Sequence, residues 1–109
     1  MPRFRLRRRS EPRQEHAHTC VRLRGEISGE NAASTGRLLI NALTPGLEVL
    51  EVDLGRVTYL SPDGCMALFS ALVAARERDT RLIVTHADKR ATATLDRIGF
   101  FRALADPEG

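Results

Sequence analysis

Apolar and polar positions alternate from His18 to Ile27, with Val21 and Leu23 on one face and Arg22 and Arg24 on the other. A period of two predicts a β-strand. Gly25 interrupts the alternation and marks an expected bulge. Ser28-Gly29-Glu30-Asn31 is a cluster of helix-starting residues. The helix it opens runs to about Leu43, with Leu39, Ala42 and Leu43 inward, and Thr44-Pro45-Gly46 ends it. Gly36 inside it costs about 1 kcal/mol against alanine. Glu48–Leu54 reads as a second strand, Gly55-Arg56 as a break, and Val57–Leu60 as an extension toward Ser61-Pro62-Asp63-Gly64. From Pro62 to about Arg78 the period changes to that of a helix. Cys65, Leu68, Phe69, Leu72 and Val73 form its expected inward stripe, and Met66, Ala67, Ser70 and Ala74 an uncharged outer face. Arg81–Thr85 is a buried strand. Asp88 or Thr85 caps a last helix through Ile98, with Ala91, Leu95 and Ile98 inward and Gly99 at the C-terminal cap. Phe100, Phe101 and Leu104 then need a surface to cover.

Strands alternating with helices predict an α/β fold with parallel crossovers. Before them, residues 1–15 form a basic leader or an edge strand. Phe4-Arg5-Leu6-Arg7 alternates weakly, and its pairing with the next strand would add an antiparallel edge, giving a small mixed β-sheet with packed helices. With 109 residues there is room for one domain, assigned to residues 16–109. The longest apolar runs, Cys65–Phe69 and Ala71–Ala75, are far short of the roughly 20 residues of a membrane span, so no membrane association is expected. No apolar stretch of signal-peptide length follows the basic N-terminus, and Cys20 and Cys65 read as two reduced thiols. Both points predict a cytoplasmic protein. The net charge of +3 is uneven: residues 1–13 hold six arginines against one glutamate, which leaves the remainder at −2.

Candidate chemistry is sparse. His16, His18 and Cys20 share one face of a strand, but Arg22 and Arg24 share it too and disfavour a divalent ion. The expectation is no metal. Asp53 and His86 each end a strand, where catalytic groups occur, but neither has a recognisable nucleophile, phosphate loop or dinucleotide fingerprint beside it. A non-enzymatic chain without a cofactor is expected. The turn Ser61-Pro62-Asp63-Gly64 carries more information. Ser61 suits an N-cap and Pro62 the first helical position. Asp63 places a negative charge where the helix dipole favours it by about 0.3–1 kcal/mol. The uncharged helix face beyond the turn is either covered by a neighbouring element or a protein-contact surface, and Met66 and Ser70 are its expected contact residues. The arginine leader allows a rival reading, a nucleic-acid or acidic-surface binder. A net-negative domain behind it argues against direct nucleic-acid binding.

Several stretches resemble the STAS domain of bacterial anti-sigma factor antagonists. V-R-L-R-G-E-I-S at 21–28 resembles a family strand ending G-E-L/I-D/S. V-D-L-G-R-V-T-Y-L-S-P-D-G-C-M-A-L at 52–68 resembles V-D-L-x-x-V-x-F/Y-I/L/M-D-S-S/T-G-x-x-x-L. Residues 76–84 and 90–101 resemble the charged helix end, the next strand and the final S/T-G-L/F helix ending. The resemblance implies a small mixed sheet with packed helices. It also implies a protein-binding role: capture of an anti-sigma factor that is a serine kinase with an ATPase-like fold, in a partner-switching pathway of transcription regulation. It places the partner-binding site at Ser61, Pro62, Asp63 and Gly64, with Met66 and Ser70 alongside. In the family a serine or threonine precedes the glycine and is phosphorylated to abolish capture. Here that position is Asp63, which has no hydroxyl, and the family's acidic position is Ser61. The expected module therefore lacks the usual serine phosphorylation. A STAS subunit of another scaffold or transporter assembly is the alternative that keeps the fold. The family's last helix is expected to be short or missing.

Overall fold

The computed structural model describes residues 17–105. Seven elements follow one another: β1 (His18–Ile27), α1 (Ala32–Asn41), β2 (Val49–Leu60), α2 (Met66–Glu77), β3 (Arg81–Thr85), α3 (Lys89–Arg97) and α4 (Phe100–Ala105). The sheet order is β1-β2-β3 and both pairings are parallel. The antiparallel edge expected from residues 1–15, like His16, lies outside the described residues.

The expected break at Gly55-Arg56 is absorbed without ending the strand. β2 runs unbroken to Leu60, and its register against β1 shifts twice, from Arg22↔Asp53 to Arg24↔Arg56 and from Gly25↔Val57 to Glu26↔Tyr59. In both shifts the extra residue belongs to β2, not to the strand that carries Gly25, although Gly25 does take φ +75° beside them. Leu50, Val52 and Leu54 of β2 enter the core, with Leu23 and Ile27 from β1 and Leu82 from β3.

The inward stripe of α2 differs from the expected one. Val73 is 57% exposed, whereas Ala67 and Ala74, expected outside, are 1% and 7% exposed. Ala67, Leu68, Ala71, Leu72 and Ala75 form the true stripe, turned toward the small residues. The cause is α1, which packs beside α2 and demands small side chains at the seam. Gly36 is buried there, and a β-carbon on it would stand 3.7 Å from the Cα of Ala67 and from the Cβ of Ser70. Phe69 sits at the margin and meets Phe100 edge-to-face at 5.2 Å. Phe100 is fully buried, so the surface that the three C-terminal apolar residues required is the flank of α2. Arg76 also donates to the carbonyl of Ala103. The last described helix, α4, spans Phe100–Ala105, and residues 106–109 lie outside the described residues.

The caps of α3 follow the sequence, whereas neither α1 nor α2 has a side-chain bond at its N-cap. Asp88 Oδ1 accepts from the Ala91 N–H at 2.8 Å, and Gly99 takes φ +84° after α3. The helix expected from Pro62 becomes a tight turn over 62–65 followed by α2. In that turn the N–H groups of Cys65, Met66 and Ala67 reach back three residues, to Pro62, Asp63 and Gly64.

Two glycines make opposite predictions. A β-carbon on Gly64 would collide with the Ile27 carbonyl and stand 3.0 Å from the Ser28 nitrogen. Both neighbours are backbone, so Gly64→Ala is expected to destabilise by about 1–3 kcal/mol, the usual range for overpacking. Gly36→Ala meets only ordinary contact distances and is expected to stabilise by about 0.5–1 kcal/mol through helix propensity. Urea midpoints of the two variants check both signs. A neutral Gly64→Ala would show that the turn can retreat from the strand.

Candidate functional site

The end of β2 and the start of α2 are bound to β1 by backbone. Ser61 N–H donates to the Ile27 carbonyl at 2.9 Å, and Ser61 Oγ accepts from the Gly64 N–H at 2.8 Å. Ser61 thus closes the turn that leads into α2 and does not cap α2 itself, whose N-cap position is Cys65 and carries no side-chain cap bond. Its oxygen is engaged as an acceptor inside the turn, and the side chain is half-buried. Pro62 and Asp63 project outward from the same turn, and Gly64 lies buried beneath them.

Asp63 faces the preceding loop. A β-carbon on Gly29 would meet Asp63 Oδ2 at 3.4 Å, so the glycine leaves room for this carboxylate. Asp63 forms no ion pair or hydrogen bond through its side chain among the described residues. The loop opposite is held by Asn31. Its Oδ1 accepts from the Ser28 N–H at 2.9 Å, and its Nδ2 donates to the Glu26 carbonyl at 2.8 Å. A free carboxylate therefore stands between two internally bonded turns.

Beyond it an open groove of about 470 Å³ runs between the helices, lined by Gly29, Ala32 and Ala33 on one side and Asp63, Met66 and Ser70 on the other. Met66 is 58% exposed and Ser70 is exposed. Val73 continues the same face of α2 one turn on. Of the six residues expected at the site, Asp63, Met66 and Ser70 line this groove together with Gly29 and Ala33, whereas Ser61 is half-buried in the turn, Gly64 is buried, and Pro62 lines a different groove beside α3. Val73 was hidden from the sequence by its apolar character, which placed it in the core. Gly29 and Ala33 could be assigned only once the seam between α1 and α2 was known.

The outer face of the sheet holds a second polar arrangement. Its two central carboxylates are bracketed by imidazole, guanidinium and hydroxyl groups from both sides. His18 Nε2 lies 3.0 Å from Glu51 Oε1, and Thr85 Oγ1 donates to Glu51 Oε2 at 2.8 Å. Arg22 Nε donates to Asp53 Oδ2 at 3.2 Å, and His86 Nδ1 lies 3.1 Å from Asp53 Oδ1. Asp53 and His86, which the sequence offered separately, are therefore partners. His86 sits in the left-handed region at φ +61°, a conformation that a non-glycine residue adopts only under local constraint. Cys20 and His18 share this face with the carboxylates, but no group of three His, Cys, Asp or Glu side chains among the described residues could hold a metal ion. Desolvation first, then the charges of Glu51 and Asp53, raises the Cys20 thiol above its ordinary value, which makes it a poor nucleophile. Burial pushes the Cys65 thiol up to about 11.

Both carboxylates are held below the ordinary range. For Asp53 the main cause is the Gly55 N–H, which donates to Oδ1 at 2.8 Å, with Arg22 and His86 assisting against desolvation. For Glu51 it is the Thr85 hydroxyl, followed by His18. A lowered value means that the unfolded chain takes up the proton first. The stabilisation is therefore complete above the ordinary carboxylate range and is lost as pH falls through the lowered folded values. Asp53→Asn is expected to flatten the acid limb of a stability–pH curve measured by urea unfolding, and Glu51→Gln to flatten it further. An unchanged slope in the double variant would remove these two groups as the cause.

Comparison with known proteins agrees with this architecture. The protein-family profile described as "Mlab, STAS domain" matches residues 10–105. A search of the curated proteins finds no match. Among solved structures, the sulfate transporter family protein from Wolinella succinogenes is similar with a TM-score of 0.70 at 21% identity, over 82% of this chain and 72% of that one. The STAS domain of the SulP transporter from Vibrio cholerae is similar with a TM-score of 0.68 at 15% identity, over 87% and 73%. At such identities the structural likeness speaks for the fold alone. The profile match spans nearly the whole chain, with the Ser61–Gly64 turn inside it, and so the chain belongs to the STAS-domain family.

Proposed function

We propose that this STAS domain is a non-enzymatic, cytoplasmic protein-binding module that captures its partner with the Ser61–Gly64 turn and the exposed face of α2. The observation that carries this reading is the unpartnered Asp63 carboxylate beside the contiguous uncharged surface of Met66, Ser70 and Val73. A helix face exposed to water normally carries charge at such positions. Here Met66, Ser70 and Val73 are flanked by Asp63 at the tip and by Glu77 at the far end of α2, so a charge at the tip can select a partner while the uncharged side chains supply contact area.

The partner proposed is an anti-sigma factor with an ATPase-like kinase fold, in a partner-switching pathway. Asp63 stands where the related antagonists carry the phosphorylated hydroxyl. A phosphoserine bears about −1.5 to −2 charges and three acceptor oxygens, whereas a carboxylate bears one charge and two oxygens. Asp63 is thus a partial and permanent mimic of the modified state. Its charge is tolerated at a helix start, and a cation on the partner would make capture constitutive. Ser61 is a poor substitute acceptor, because its oxygen is bonded within the turn and Pro62 follows it.

A second reading, a STAS subunit of a transporter assembly, draws on the two structural neighbours, both described as sulfate-transporter or SulP proteins. The permanent charge at Asp63 suits such a constitutive subunit as well. The two readings part on kinase chemistry. With a cognate ATPase-fold kinase and ATP, the wild type is expected to take up no phosphate and Asp63→Ser to take up one at residue 63, as read by mass spectrometry. Phosphate on Ser61 of the wild type would sink the fixed-charge reading. If no such kinase binds the wild type, the transporter reading gains.

Met66→Glu is expected to weaken capture roughly tenfold or more, since it forces a charge into the contact area. It should leave stability within about 0.5 kcal/mol, as for other exposed positions. Unfolding of Met66→Glu would show that this face serves the core.

A further inference from the structure

β2 outlasts one of its neighbours. Its pairing with β3 stops at Asp53↔Thr85, while its pairing with β1 continues to Ile27↔Leu60. Past Leu54 the strand has a strand neighbour on one side only. In a parallel ladder the backbone groups of successive residues turn to opposite sides, so part of the N–H and C=O groups of Val57–Leu60 faces the side that β3 has left. Among the described residues no backbone bond is made across that side.

α3 runs beside this edge, and a groove of about 290 Å³ lies between them. One wall is the strand segment Val57–Leu60, with Tyr59 46% exposed. The opposite wall carries Arg90 and Arg97, neither of which forms an ion pair with a described residue. Asp88, the acidic residue in the lining, already spends an oxygen on the Ala91 N–H. The groove therefore joins an unsatisfied strand edge to two free guanidinium groups.

An open edge of β-branched and aromatic residues is a template for a further strand, and cations beside it are one device that keeps copies of the same chain from using it. The same cations favour a segment of opposite charge. We propose that this groove is a strand-addition site for an extended acidic segment of a partner protein. The segment's backbone would complete the ladder along Val57–Leu60, and its carboxylates would meet Arg90 and Arg97 in charge-assisted hydrogen bonds. This surface lies on the α3 side of the Ser61–Gly64 turn and touches it only at Pro62, so the inference does not rest on the partner proposed for the α2 face.

The test uses the full chain and a fluorescein-labelled peptide of alternating glutamate and valine, seven residues long in order-of-magnitude match to a strand. Fluorescence anisotropy is expected to show binding of this peptide and none of its lysine–valine analogue. Methylating alternate peptide nitrogens should cost roughly tenfold or more, since it removes the ladder donors but leaves the charges. In NMR spectra the amides of Val57–Leu60 should shift and gain exchange protection. Arg90→Glu with Arg97→Glu should weaken binding to a similar extent. If that variant fails to fold, the lysine and N-methyl peptides on the wild type decide the matter. The proposal is overturned by equal binding of the N-methylated peptide, by shifts that fall at Met66 and Ser70 instead, or by no binding at millimolar peptide. It is overturned equally by self-association of the chain through this edge, which would make a second copy the occupant.

Discussion

The arrangement depends on one backbone contact, the approach of the Ser61–Cys65 turn to the last residue of β1. Ser61 donates to the Ile27 carbonyl, and Gly64 packs where no side chain fits. A hydrogen bond between backbone groups tolerates little displacement, so the start of α2 is tied to the end of β1 and not merely to the strand that leads into it. The position of Asp63 over Gly29 follows from that tie, and so does the direction in which Met66 leaves the turn. Gly64 thus has a steric reason of its own in this chain.

From that fixed start, α2 is steered by the size of its side chains. Gly36, Ala67, Ala71 and Ala75 let two helices and a sheet close on one another. Close packing of small residues leaves the larger Met66 and Val73 no room inside and turns them to solvent. The exposed apolar face is therefore a geometric consequence of how α1 sits. It is also the face proposed above to meet a partner, so on that proposal core packing and binding share the same choice of small residues.

The sheet's outer face is organised by charge. Glu51 and Asp53 on the middle strand face imidazole, guanidinium and hydroxyl groups from β1 and from the end of β3, and every one of these contacts joins residues more than thirty positions apart. Partly exposed pairs of this kind contribute modestly to stability. They do favour one strand register, because a slip by one residue would carry the carboxylates to the apolar face.

The sequence by itself determined the elements with a strong local cause. The alternation from His18 to Ile27, the Asp88 cap and the Gly99 helix end all appear as their residue types require. Periodicity and capping act over a few residues, and a few residues can be read without knowing the fold. The tertiary structure decided what depends on neighbours distant in sequence. It rotated the buried stripe of α2 away from Val73 and onto Ala67 and Ala74, because the seam with α1 admits only small side chains. It carried β2 through Gly55-Arg56, because pairing with β1 absorbed two extra residues as bulges. It joined Asp53 to His86, and it left the far end of β2 without a strand neighbour on the side of α3, because β3 is only five residues long. Hydrophobic pattern counts how apolar a position is; which surface then covers it, or fails to, is settled by the partner element the chain brings there.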